Sequence, residues 1–229
     1  MSDQADDRQT AIRNASVANI HPRLAGVLYI FYFLSAAPLA LRSSMIRLSD
    51  PVATAAHILG AAQLYRATVV SDLASYAAYI ALTVLLAQIG ALVSRTWAII
   101  AALLSLAGCI VLVASTALLT VPLGGPQMQP FSMLAFRLYS QGYNESLFLF
   151  GLFCLIMGCL FAAGRLLPLL LCLLLAAAGA AWVALSAANI AVPVLGAAAA
   201  PYILPLGAAA ELLLGLWLLV RGVSAKYRA

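Results

Sequence analysis

Six long, predominantly apolar runs dominate the chain, at 24–41, 67–93, 97–121, 143–163, 166–190 and 203–220, and none is shorter than 18 residues. At about 1.5 Å per helical residue, runs of this length reach across a hydrocarbon core of roughly 30 Å. Lipid offers backbone N–H and C=O groups no partner, so such segments span as helices whose hydrogen bonds are internal. Composition closes the water-soluble alternative. Hydrophobic residues make up 65% of the 229 and charged residues 8%, against about half and roughly a quarter in a soluble domain. Seven carboxylates and twelve basic residues are too few to coat a globule of this size in water. The expected fold class is all-α, a polytopic membrane bundle of six transmembrane helices, with the lipid bilayer as its main partner.

The same inventory narrows function. Net charge is +5, but the basic residues stand singly between apolar runs and form no stripe that would track phosphates, so no nucleic-acid partner is expected. Cys109, Cys154, Cys159 and Cys172 lie inside apolar runs without a CxxC pair, which points to neither a disulfide frame nor a zinc site. With His21 and His57 as the only histidines, a haem or multi-histidine centre is hard to build, and no metal or cofactor is expected. P-loop, GxSxG and HExxH patterns are missing.

Residues 1–23 are polar, mixed in charge and end in His21-Pro22-Arg23, as a flexible cytoplasmic tail would; 223–229 form a second tail. A cleavable signal peptide is the competing reading of the first run, given Ser35-Ala36-Ala37, but the run is long and an acidic segment precedes it. Turn signals separate the later runs: Ser94-Arg95-Thr96, the 122–142 stretch with Gly124-Gly125-Pro126, Gly164-Arg165, and a 191–202 loop with Pro193 and Pro201. With the amino terminus cytoplasmic, Arg8, Arg13, Arg23, Arg95, Arg165, Arg221, Lys226 and Arg228 fall inside, against Arg42, Arg47, Arg66 and Arg137 outside. That bias favours both termini in the cytoplasm of a multi-pass cell-membrane protein. Tyr65, Tyr139, Tyr143 and Tyr202 then mark the outer interface, with Trp97 and Trp217 at the inner one. Between Arg42 and Arg66, Ser49-Asp50-Pro51 supplies a cap and a first-turn proline for a short extracytoplasmic surface helix within the alanine-rich stretch 52–65. No internal repeat is evident, which withholds support from an inverted-repeat transporter.

Ionisable groups inside a bilayer cost several kcal/mol and usually mark a site. On the second span Thr68, Asp72, Ser75, Tyr76, Tyr79 and Thr83 recur at helical spacing as one polar stripe, readable as a site or as an interhelical hydrogen-bonding seam. Glu211 sits at the centre of the last run on a face shared with Gly207, Gly215 and Gly222, where it would serve as a hydrogen-bond donor or proton carrier, or simply bond a neighbouring carbonyl. Arg66 stands at the mouth of the second span, out of phase with Asp72 and in need of another partner. Asn144 and Glu145 open the fourth span, where a carboxylate suits the helix dipole, and Arg137 stands near enough to bond it or an anion. Asn189 closes the fifth, in phase with Trp182 and Ser186. Arg66, Asp72, Arg137, Glu145 and Asn189 all fall in the expected outer half, with Glu211 at the midplane, and Tyr76 and Tyr79 of the stripe join them as expected ligand-binding residues. This concentration predicts an outward-facing polar pocket.

At these residues the chain resembles a family of bacterial membrane proteins, domain of unknown function 4386. The likeness runs from Arg23 to Gly222 and is most specific in Leu64-Tyr65-Arg66 with Val70-Ser71-Asp72-Leu73. It continues through Arg23-Leu24-Ala25-Gly26 with Tyr29, Ala53-Thr54-Ala55 with Ile58-Leu59, Gly142-Tyr143, Phe150-Gly151-Leu152 with Gly158, Leu167-Pro168, and Glu211-Leu212 with Leu216-Trp217-Leu218-Leu219. The resemblance implies six helices and no assigned reaction. In that group a histidine often follows the Gly-Leu of the fourth helix; Phe153 stands there in this chain.

The leading functional expectation is non-catalytic: binding of a lipid, a small apolar molecule or a membrane partner at the polar pocket. Two others stand beside it. One is a membrane-embedded enzyme using Asp72 and Glu211 as acid and base on an apolar lipid or isoprenoid substrate, and the other is a proton-coupled transporter.

Overall fold

The computed structural model describes residues 22–120 and 129–223. The expected tails, apart from Pro22, Arg23 and Val223, and the Gly124-Gly125-Pro126 turn lie outside the described residues. Seven helices follow in order: α1 Pro22–Met45, α2 Pro51–Gly60, α3 Ala62–Ala91, α4 Arg95–Thr116, α5 Gln129–Ala163, α6 Leu169–Ala191 and α7 Pro193–Val220. A short 3₁₀ turn, Ala117–Thr120, extends α4. All but α2 are long and apolar enough to cross a membrane, and no strand occurs among the described residues.

The helices outrun the apolar stretches that announce them. Five residues separate Ala62 from the expected start of the second span, fourteen separate Gln129 from that of the fourth, and ten separate Pro193 from that of the sixth. In α5 the added turns are amphipathic: Met133, Phe136 and Tyr139 turn inward while Arg137 and Gln141 stay exposed, a pattern that a search for apolar runs passes over. The 191–202 stretch, expected as a loop, is helical beyond Val192. Pro193 takes the first helical position, where a missing N–H costs nothing, and Pro201 and Pro205 lie within the helix. Membrane helices tolerate such prolines because neighbouring groups compensate the lost bond.

Each turn closes by a local device. Asp50 Oδ1 accepts from Ala53 N at 2.9 Å, with Pro51 in the first helical turn, as the sequence predicts. The expected short helix is α2, and it ends at Gly60, where Ala61 leaves helical geometry at φ −132°. Between α5 and α6, Arg165 at φ 51° takes the left-handed position usually given to glycine, and Leu166 N returns to Phe161 O at 3.0 Å.

Successive spanning helices run antiparallel. Thr83 meets Ser105 and Tyr76 meets Thr116 between α3 and α4, while Asn144 meets Ser186 between α5 and α6. Pro22 and Gly222 lie side by side, so α1 and α7 bring both ends of the described chain to one end of the bundle. The other end carries α2. Helix α1 closes the bundle between α7, where Gly26 meets Leu219, and α3, where Ser71 Oγ donates to Ser35 O at 2.6 Å.

Small residues set the interhelical distances, as expected where lipid provides no hydrophobic drive for association. At the α5–α6 crossing, a Cβ on Gly179 would stand 2.5 Å from the carbonyl oxygen of Gly151, and one on Gly151 would stand 2.7 Å from that of Gly179. In the half away from α2 the bundle is filled by Leu82, Leu86, Met157, Phe161, Leu214 and Leu218, all buried. A second apolar cluster, with Ile58, Tyr65, Leu119, Met133 and Phe136, seats α2 on α3 and α5.

Gly179→Leu is therefore expected to separate α5 from α6 and to destabilise the protein by about 1–3 kcal/mol. Thermal unfolding in detergent would register this as a lowered Tm. Gly60→Ala, where a Cβ meets nothing within 4 Å, is expected to leave the Tm unchanged.

Candidate functional site

The polar stripe of α3 faces the bundle interior along its whole length: Thr68, Asp72, Ser75, Tyr76, Tyr79 and Thr83 are all buried. Several of its hydroxyls bond within their own helix, Thr68 to Tyr65 O, Ser75 to Asp72 O and Thr83 to Tyr79 O, which satisfies them without a partner helix. Asp72, Tyr76 and Tyr79 reach outward from α3, and the clusters they join lie at two levels.

Nearer α2, the partner of Asp72 is Arg42. Its Nη1 lies 2.5 Å from Asp72 Oδ2, and its Nη2 donates to the Tyr139 hydroxyl at 2.8 Å. The guanidinium also lies 5.3 Å from the centroid of the Tyr139 ring. Arg42 and Asp72 are both fully enclosed, in a setting where an isolated charge would be severely penalised. This corrects the sequence reading, which placed Arg42 at the outer boundary of the first span as a topology signal and named no partner for Asp72. Helix α1 runs past Leu41 to Met45 and carries Arg42 inward, whereas Arg66 lies exposed on α3. A buried carboxylate in need of a cation was the available signal, but spacing, which excludes Arg66 on the same helix, cannot name a partner on another.

Deeper in the bundle, Glu211 Oε1 accepts from the Tyr79 hydroxyl at 2.7 Å, with the Tyr29 hydroxyl at 3.5 Å and Cys154 Sγ at 3.6 Å. Four helices, α1, α3, α5 and α7, thus converge on one carboxyl oxygen. Oε2 accepts no hydrogen bond from the described residues, and it is not among the buried polar atoms left without a partner. The expected glycine face of α7 has two neighbours: Gly215 packs on the Tyr29 side chain and Gly207 on the Trp182 indole. Trp182 Nε1 is buried and has no acceptor among the described residues.

Between the two levels lies internal space. A cavity of about 110 Å³ is bounded by Glu211 and Trp182 and adjoins one of about 60 Å³ bounded by Asp72 and Tyr76. The two share Tyr32, Tyr79, Leu112, Tyr143 and Phe150 as walls and form adjoining lobes of one chamber.

The other expected site residues stand apart from it. Arg66, Arg137 and Glu145 are exposed, and Glu145 Oε1 accepts from Gln141 one turn earlier at 3.2 Å. Asn189 donates to Asn144 Oδ1 at 2.7 Å, while Ser186 Oγ donates to Asn144 O at 2.6 Å, which makes an α5–α6 clasp. The sequence reading missed Tyr29, Tyr32, Phe150 and Cys154 because each is an ordinary residue of an apolar span. Among the described residues, no three His, Cys, Asp or Glu side chains converge where they would hold a metal ion.

The buried ion pair makes a sharp expectation. Arg42→Met strands Asp72 and should cost about 3–5 kcal/mol, whereas Arg42→Met combined with Asp72→Leu should recover most of that loss. A double-mutant cycle of thermal unfolding in detergent measures it, and additive single losses would contradict the pairing.

No curated protein and no solved structure matches the chain. The family model described as "Domain of unknown function (DUF4386)" matches residues 24–222, a stretch that begins in α1, ends at the cap of α7 and includes Arg42, Asp72 and Glu211. With a match across nearly all of its spanning region, this multi-pass helical membrane protein belongs to the DUF4386 family.

Proposed function

We propose that this protein binds a small molecule, or the tip of a lipid, in the chamber between the Arg42–Asp72 pair and Glu211. The observation that carries the reading is the placement of that chamber. It lies between two buried polar clusters in the half of the bundle nearer α2, while the opposite half is filled by Leu82, Leu86, Met157, Phe161, Leu214 and Leu218. A recess with one filled end favours binding over passage. Its larger lobe, about 110 Å³ beside Glu211, is well short of the roughly 300–1,000 Å³ of a drug-sized site. It is of the order of the engineered cavity of about 150 Å³ that takes benzene. A ligand of a few heavy atoms fits this space, and a whole lipid does not.

Tyr32 and Phe33 from α1, Tyr143 and Phe150 from α5, and Leu204 and Ala208 from α7 are half-buried walls, which supports lateral access from the membrane beside α1. Acid–base catalysis by Asp72 and Glu211 is the weaker reading, because Arg42 already engages the Asp72 carboxyl. Proton-coupled transport requires an opening through the filled half. The arginine bias supports cytoplasmic termini and a chamber nearer the outer face.

Native mass spectrometry of the detergent-purified protein is expected to show a noncovalent adduct that Ala208→Phe, which fills the chamber from α7, abolishes. An adduct that survives the substitution, or no adduct in the unmodified protein, overturns the reading. For orientation, a cysteine replacing Gly60 should react with a membrane-impermeant maleimide in intact cells. One replacing Thr96 should react only after permeabilisation, and the reverse pattern would invert the topology.

A further inference from the structure

The chamber walls narrow the class of ligand, an inference that rests on the binding function proposed above. Charge is the first consideration. Arg42 and Asp72 neutralise one another at one end. At the other, the groups that reach Glu211 are two phenols and a thiol, none of them a cation, and Glu211 enters no ion pair among the described residues. A carboxylate at this depth without a counter-charge costs several kcal/mol, which a proton relieves in the empty chamber and a bound cation would offset in the proton's place. Oε2, which accepts no hydrogen bond from the described residues, is available to it.

The remaining walls have the matching chemistry. Tyr32, Tyr79, Tyr143, Phe150 and Trp182 enclose the space next to Glu211. The rings of Tyr32 and Tyr79 lie 4.9 Å apart, and those of Tyr79 and Phe150 lie 5.0 Å apart. The faces of aromatic rings attract cations within about 6 Å, and several rings around one space recognise quaternary ammonium groups that offer no N–H to bond. A neutral apolar guest would gain nothing from Glu211, and an anion would be repelled by it.

We propose that the chamber binds a small organic cation, an alkyl- or quaternary ammonium group, with its charge beside Glu211 and its alkyl groups against the aromatic walls. The lobe beside Glu211, about 110 Å³, suits a head of tetramethylammonium size better than a longer amphiphile taken in whole. Trp182, itself a wall, provides the reporter.

The test uses the full-length protein in detergent with Trp97 and Trp217 replaced by phenylalanine, which leaves Trp182 as the only tryptophan. Tetramethylammonium chloride is titrated against its fluorescence, with tert-butanol as a neutral probe of similar shape and sodium chloride as the ionic-strength control. The expected result is a saturable change with tetramethylammonium alone, weakened at least tenfold by Glu211→Gln and about threefold or more by Tyr143→Leu. If Glu211→Gln does not fold, Tyr143→Leu and the comparison with tert-butanol decide the matter. Equal binding of tert-butanol, or tetramethylammonium binding that Glu211→Gln leaves intact, overturns the cation assignment but leaves a binding chamber standing. Response to neither probe overturns the cation assignment as well, and the adduct experiment with Ala208→Phe then judges the chamber by itself.

Discussion

A guanidinium and a carboxylate held out of water must find each other, and the meeting of Arg42 with Asp72 governs much of this bundle. For it to form, α1 must continue past the apolar stretch that defines it and lay its last turns against α3. Tyr139 must be brought in from α5, which requires that α5 begin well before its apolar run. The amphipathic turns that supply Tyr139 also present Met133 and Phe136 to Ile58 of α2, so the short helix has a seat over the same corner. One ion pair thus ties α1, α3 and α5 together and places α2 against them.

Glu211 poses the same problem at the middle of the bundle and receives a different answer. Phenols and a thiol reach one of its oxygens, and no cation among the described residues reaches either. Space lies between the two clusters because their side chains extend toward different helices and leave aromatic faces between them. On the far side, leucine, methionine and phenylalanine fill the bundle. The polarity of the interior is therefore lopsided, and this asymmetry favours a site of binding over a pathway across the membrane.

The α3 stripe and Glu211 are legible in the sequence as interior positions, because neither faces lipid without penalty and their helical phase is set by spacing alone. The Asp50-Pro51 start of α2 is legible for a similar reason: capping is a local affair of three or four residues. Arg42 is not. A lone arginine at the end of an apolar run reads equally as a topology marker and as an interior partner, and the choice depends on where a helix far along the chain places its carboxylate. Tyr139 and Tyr143 fit an interfacial belt by position, yet Tyr139 bonds Arg42 and Tyr143 walls the chamber. Asn189 shares a face with Ser186 as spacing requires, but its partner, Asn144, lies on α5.

The amino-acid sequence by itself determined the number of spans, their helical character and which face of α3 and α7 turns away from lipid. These follow from the hydrocarbon thickness, the need to satisfy the backbone internally and the cost of exposed polar groups. Tertiary structure decided which arginine meets Asp72, which phenols meet Glu211 and which aromatic residues enclose the space between them. In a lipid solvent apolar side chains are nearly indifferent to their neighbours, so pairing is settled by close-packed glycines and a few hydrogen bonds between helices distant in sequence.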